Sequence, residues 1–133
     1  MGDSSNNRSN NRSIGRIGES AASDYLQKNG YLILRRNFRF GRYGEIDIVA
    51  KKSAELCFVE VKARTSDLFG RPSEAVGYKK QRKILAVASH YMAVFNASES
   101  KVRFDVIEIY YRKDPSGQIA VTGLNHIENA FTA

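Results

Sequence analysis

The sequence predicts an α/β protein in which helices pack on a sheet, in the order α-β-β-β-α-β-β. Three observations carry this reading. Apolar residues recur at helical spacing in residues 14–29 and 73–95. They alternate with polar residues in 44–51, 55–64 and 101–111. Gly, Asn, Asp and Pro punctuate the joins between these segments.

Residues 1–13 (MGDSSNNRSNNRS) are Ser, Asn and Arg with almost nothing apolar. Such a segment buries too little surface to offset its ordering entropy, so a disordered tail is expected, followed by a single domain over 14–133. From Ile14 to Asn29 a stripe of Gly18, Ala22, Tyr25 and Leu26 marks a helix, and Asn29-Gly30 stops it. Tyr31 to Phe40 mixes apolar and basic residues as a strand, and Gly41 to Gly44 is a turn. Two strands follow, Gly44–Lys51 and Glu55–Arg64, then a loop over 65–72. A long helix is expected from about Ser73, a plausible N-cap, to Phe95, with Ile84, Leu85, Ala88, Tyr91, Met92 and Phe95 on its inner face. Lys101–Tyr111 is a strand, Asp114–Gly117 a turn and Gln118–Thr122 a short last strand. A tail holding His126–Phe131 is expected after it.

The 133 residues suit one compact domain, and 42% hydrophobic content is enough for a core. No apolar run is long enough to span a bilayer, and the N-terminal stretch lacks the apolar core of a signal peptide. The single Cys57 rules out an internal disulfide and a Cys-rich zinc site. A cytoplasmic protein with no membrane association is therefore expected. The net charge of +7 favours a polyanionic partner, nucleic acid first.

The informative segment is the strand pair 44–64. Ile46, Ile48 and Ala50 share one face of the first strand, and Glu45, Asp47 and Val49 the other. On the second, Cys57, Val59, Val61 and Ala63 face away from Phe58, Glu60, Lys62 and Arg64. In a hairpin the apolar faces must coincide, because a one-residue slip puts one of them in water. A symmetric turn at Ser53-Ala54 pairs Ile46 with Val61, Ile48 with Val59 and Ala50 with Cys57. It also sets Asp47 opposite Glu60, and Glu45 opposite Lys62.

Two facing carboxylates, with Cβ atoms about 5 Å apart, repel each other unless a cation lies between them. Oxygen donors without His or Cys at ligand spacing point to Mg²⁺ or Mn²⁺ rather than Zn²⁺. Lys62 on the same face could orient a water or stabilise charge on a phosphate. The same pattern also fits a hairpin with one solvated face, where Glu45–Lys62 is a surface ion pair.

Glu19 falls on or beside the inner stripe of the first helix. It is either a third metal-site carboxylate or an acid favoured by the helix dipole. Gln81 lies on or at the edge of the second helix's stripe, where its amide could bond a site group or a nucleotide. Lys79, Lys80, Arg82 and Lys83, with Arg16, Arg42, Arg64 and Arg71, form either a phosphate-holding surface or an ordinary solvated face. Tyr43, Phe69 and Tyr78 could stack on bases, although core or loop packing also accounts for each. His90 and His126 lack metal-ligand spacing and read as structural.

Gly44-Glu45-Ile46-Asp47 followed by Phe58-Val59-Glu60-Val61-Lys62 resembles the signature of the bacterial YraN family of uncharacterised, endonuclease-like proteins. The resemblance extends through Gly15-Arg16-Ile17-Gly18-Glu19, Asn37-Phe38-Arg39, Gly70-Arg71-Pro72 with Glu74-Ala75-Val76, and Lys80-Gln81. It ends with Arg103-Phe104-Asp105-Val106 and His126–Phe131. That family is grouped with the PD-(D/E)XK nuclease superfamily and is similar to archaeal Holliday junction resolvases. The resemblance implies a restriction-endonuclease-like core, a mixed sheet flanked by helices. It implies Asp47 and Glu60 as metal ligands, Lys62 as the catalytic lysine, and Glu19 and Gln81 as further members of the site. Ile46 stands where the superfamily's namesake proline would precede Asp47. The function expected on this basis is Mg²⁺- or Mn²⁺-dependent endonucleolytic hydrolysis of DNA, branched or repair-intermediate DNA by analogy. The alternative is a non-catalytic nucleic-acid-binding protein with a vestigial nuclease site. Because junction resolvases are symmetric dimers, a homodimer stays open.

Overall fold

The computed structural model describes residues 4–73 and 76–132. Glu74 and Ala75, part of the family-like segment after Pro72, lie outside the described residues, as do residues 1–3 of the expected tail. The elements are α1 (Ser4–Lys28), β1 (Leu32–Phe40), β2 (Gly44–Lys52), β3 (Glu55–Thr65), α2 (Tyr78–Val94), β4 (Lys101–Lys113) and β5 (Ile119–Phe131). One five-stranded sheet has the order β1-β2-β3-β4-β5. Only β3 and β4 run parallel, and α2 is the crossover between them; the other neighbours are antiparallel. This is the mixed, helix-flanked α/β sheet that the sequence predicts.

The two helices bury opposite faces of the sheet. Ala22 and Leu26 of α1 pack with Ile48, Ala50, Cys57, Val59, Ile107 and Ile109. On the other side Ile84, Val87, Ala88 and Tyr91 of α2 pack with Val49, Leu56, Phe58, Phe104 and Val106. The central strand β3 is therefore apolar on both faces, and Leu56 to Val59 are all buried. Each such side chain contributes about 1.5–3 kcal/mol. Helix α1 lies directly over β3 at Gly18, where an added Cβ would make ordinary 3.8 Å contacts with Ala63 and Val61.

Helix α1 ends as expected at Asn29-Gly30. Gly30 adopts φ +87°, its N–H bonds the Gln27 carbonyl, and the Tyr31 N–H bonds the Leu26 carbonyl. That is a Schellman close, sealed by Leu26 and Tyr31 in the same cluster.

Three elements depart from expectation. Helix α1 begins at Ser4, so residues 4–13 continue the helix instead of forming a tail. Once a helix is anchored by packing, extending it needs no new nucleus. Helix α2 starts at Tyr78 with Gly77 as its N-cap, not near Ser73. Ser73 instead donates its hydroxyl to Glu108, which takes it out of the helix. The expected C-terminal tail is strand: β5 runs on to Phe131 along β4. Its alternation is masked in sequence because it is an edge strand whose polar residues Asn125 and His126 serve buried carboxylates on β4.

Candidate metal centre

The expected hairpin register holds from Lys52 opposite Glu55 to Ile48 opposite Val59. The ladder then stops. Ile46 packs in the α2-side cluster whereas Ile48 packs on the α1 side, so the two do not share a face as alternation predicts. The neighbouring strand twists at the same level: Arg36 is opposite Ile48, Phe38 is opposite Ile46, and Asn37 between them has φ +56°. In place of an Ile46–Val61 pair, Asp47 Oδ2 accepts a 2.8 Å hydrogen bond from the Val61 N–H. A side chain thus satisfies a backbone donor that the split strands would otherwise leave without a partner.

Asp47 and Glu60 are both half-buried at this fork. Burial, then the nearby Glu60 charge, pushes the Asp47 carboxyl up to about 7, against the opposing Val61 bond; Glu19 and Glu45 add smaller repulsions. Burial also raises Glu60, while Lys80 and Lys62 pull it back. Lys80 Nζ lies 3.4 Å from Glu60 Oε1, bringing the first turn of α2 over the middle of β3.

Glu19 sits close enough to repel Asp47, but its own Oε2 is 3.9 Å from Arg36 Nη2. Among the described residues no group of three His, Cys, Asp or Glu side chains forms a metal cluster. Asp47 and Glu60 are thus a carboxylate pair, with Glu19 near enough to raise Asp47 yet set toward Arg36. The pair still suits a hard divalent cation. Mg²⁺ keeps several waters and is commonly held by one or two carboxylates, and burial together with the Glu60 charge raises Asp47, a cost that a cation would offset. Asp47 Oδ1 has no hydrogen-bond partner among the described residues.

Lys62 stays on the Glu60 face and pairs in register with Glu108 of β4. Gln81 is not turned to the carboxylates: its Nε2 donates to the Val76 carbonyl at 2.7 Å and tethers the chain ahead of α2. Lys79, Lys80, Arg82, Lys83, Arg16, Arg42 and Arg71 are exposed. Arg64 is withdrawn from that surface, because its guanidinium binds Glu108 Oε2 at 2.8 Å and is 13% exposed.

Sequence reading missed two buried carboxylates. Glu108, on the same face as Lys62, accepts bonds from Arg64, Ser73, Tyr110 and Asn125. Burial alone would raise its carboxyl, but these donors outweigh it and hold it below the usual range. Asp105 faces α1 and accepts from Arg103, His126 and the Asn129 N–H, which lower it in the same way against burial. A polar residue at an apolar position of the strand repeat Phe104–Tyr110 was the available signal.

The profile described as "Uncharacterised protein family UPF0102" matches residues 18–109, which span the whole fork. A UPF0102 protein of Acetivibrio thermocellus is 46% identical over 125 residues, covering 94% of this chain and 95% of that one. One from Caldicellulosiruptor bescii is 48% identical over 124 residues, covering 92% and 99%. Among solved structures, Pyrococcus furiosus SfsA in complex with Ca²⁺ aligns over 89% of this chain and 63% of that one. The TM-score is 0.37 and identity 17%, too slight a likeness to carry an argument. With the family profile over the site and full-length relatives at this identity, the chain belongs to the uncharacterised protein family UPF0102.

Proposed function

We propose that this protein is a metal-dependent endonuclease of the PD-(D/E)XK type that hydrolyses DNA phosphodiester bonds. The observation that supports it most is the half-buried Asp47–Glu60 pair, its Asp47 pushed up to about 7, with Lys62 on the same strand face as Glu60. A Mg²⁺ or Mn²⁺ held there would supply Lewis-acid polarisation of a phosphate oxygen and a more acidic bound water. Asp47 and Glu60 are the residues to hold it, and the Val61 N–H fixes the Asp47 carboxylate for that task. Lys62 orients the attacking water or offsets charge building on the phosphate. Lys79, Arg82, Lys83, Arg16, Arg42 and Arg71 grip the flanking backbone without reading sequence. A cytoplasmic location, branched or repair-intermediate DNA as substrate and a homodimer belong to this proposal.

The test is cleavage of labelled duplex, single-stranded, flapped and four-way DNA with Mg²⁺ or Mn²⁺ and with chelator, beside Asp47→Ala and Lys62→Ala. Metal-dependent cutting lost in both variants supports the reading. Cutting that persists unchanged in both would sink it.

A second reading, a nucleic-acid-binding protein with a vestigial site, is favoured by Lys80. Its ammonium already neutralises Glu60, and no third carboxylate completes a cluster among the described residues. Salt-dependent DNA binding with no cleavage under any metal would support it.

A further inference from the structure

We propose that the cavity beside Phe69 receives an unpaired nucleobase of the strand whose phosphate reaches Lys62. This rests on the reading of Asp47, Glu60 and Lys62 as a phosphate-handling site. The cavity measures about 270 Å³ and is lined by Phe69, Gly70, Arg71, Tyr110, Leu124 and Asn125. It is distinct from the carboxylate fork and lies farther along β3 and β4.

The Phe69 ring is 59% exposed, a large apolar surface left in water. Yet the ring is held firmly. It meets Tyr110 edge-on at 4.9 Å between centroids. Behind it lies Gly123, where an added Cβ would come within 2.7 Å of the ring. A side chain at 123 would displace the ring, so this glycine forms the notch that seats it. An exposed ring pinned from behind has already lost its rotamer freedom and can stack on an incoming base with little further ordering cost.

The polar groups around it suit the same ligand. Asn125 spends its amide N–H bonds on Glu108 and Ser73, which fixes the side chain. Its carbonyl oxygen has no partner among the described residues and can accept from a base amino group. Arg71 on the rim is exposed and can take a phosphate.

Register supplies the spacing. Lys62 is opposite Glu108, and Arg64 is opposite Tyr110. The Tyr110 row therefore lies about 7 Å beyond the Lys62 row. Strand phosphates in duplex geometry repeat at about 3.4 Å along the axis. The ring is thus about two nucleotides from a phosphate at Lys62, and fewer where the unpaired strand is extended. In a duplex both faces of a base are already covered, so stacking on Phe69 requires an unpaired one.

The test measures binding by the full chain in chelator, where nothing is cut. Wild type, Phe69→Ala and Phe69→Tyr are titrated by anisotropy against labelled single-stranded, flapped and duplex DNA, with thermal melts run on each protein. Phe69→Ala should bind the single strand and the flap about 5- to 100-fold more weakly. Duplex affinity should change less than about twofold, and Phe69→Tyr should behave as wild type. A 2-aminopurine in the unpaired region should be quenched by wild type and not by Phe69→Ala. Equal losses on duplex and single strand, or wild-type affinity in Phe69→Ala, overturn the base site even if metal-dependent cleavage is found. Absent cleavage with the Phe69→Ala loss intact overturns the nuclease reading and leaves the base site standing.

Discussion

Asp47 reaches across a strand fork to accept the Val61 N–H at 2.8 Å, and in doing so holds a carboxyl raised to about 7 next to Glu60. An amide at 47 keeps the acceptor for Val61 and removes the charge. Alanine removes both. The two substitutions therefore separate the structural task of Asp47 from its electrostatic one.

The first prediction concerns pH. Asp47 sits near 3.8 when unfolded and is raised to about 7 in the fold, so the folded protein holds this proton more tightly. The associated stability is fully present below about pH 4 and is lost as pH rises through about 7. Asp47→Asn should flatten that decline and raise the melting temperature at pH 8 by several degrees, ~1 kcal/mol or more. Asp47→Ala should gain less, because it leaves the Val61 N–H without its acceptor. Melts between pH 4 and 9 check both. In wild type, the melting-temperature gain from added Mn²⁺ should grow with pH through the same window.

Lys80 supplies the second. Its ion pair with Glu60 must be broken or shared when a cation enters between the carboxylates. Lys80→Met should therefore raise Mn²⁺ affinity about 2- to 5-fold, the range of a partly exposed pair. Titration calorimetry reads this directly. Weaker Mn²⁺ binding in Lys80→Met would show that Lys80 does not compete for the site.

The third concerns Glu108. Glu108→Ala leaves the Arg64 guanidinium, 13% exposed, without its carboxylate. It also frees Ser73, so the chain leading into α2 loses a tether. A loss of stability is expected in chemical denaturation. Faster amide exchange should appear around Ser73.

The fourth concerns acid. Asp105 and Glu108 both sit below their usual range in the fold. Their stabilising effect is present above about pH 4 and is lost as pH falls below it, opposite in sign to Asp47. Asp105→Asn should weaken the Arg103 and His126 bonds and cost about 2–4 kcal/mol at neutral pH. It should also reduce the acid sensitivity of the melt between pH 4 and 2.

The site was legible in part. Strand periodicity and a two-residue turn at Ser53-Ala54 were enough to set Ile48 against Val59 and to bring Asp47 and Glu60 to one end of the pair. Helical stripes were enough to mark Ala22, Leu26, Ile84, Ala88 and Tyr91 as core. These are local properties, since the period of a hydrophobic pattern follows from backbone geometry. The Glu60 share of the rise at Asp47 follows from this too, whereas burial, the larger cause, does not.

Tertiary structure decided the rest. The half-twist sends Ile46 to the α2 side and Ile48 to the α1 side, beside Asn37 at φ +56° on the paired strand, and alternation alone gives no sign of it. Arg64 and Arg82 look alike in sequence. One is withdrawn by Glu108 and the other stays exposed, because only the parallel β3–β4 pairing brings residues 64 and 108 together. Gln81 turns to Val76 for the same kind of reason, a partner fixed by where the helix begins. The sequence by itself determined the α/β class and the β2–β3 register from Lys52–Glu55 to Ile48–Val59, and it singled out Asp47 and Glu60 as candidates. Which charges are free to meet a ligand was decided by long-range packing, since a buried ion pair is set by distance in space rather than by spacing along the chain.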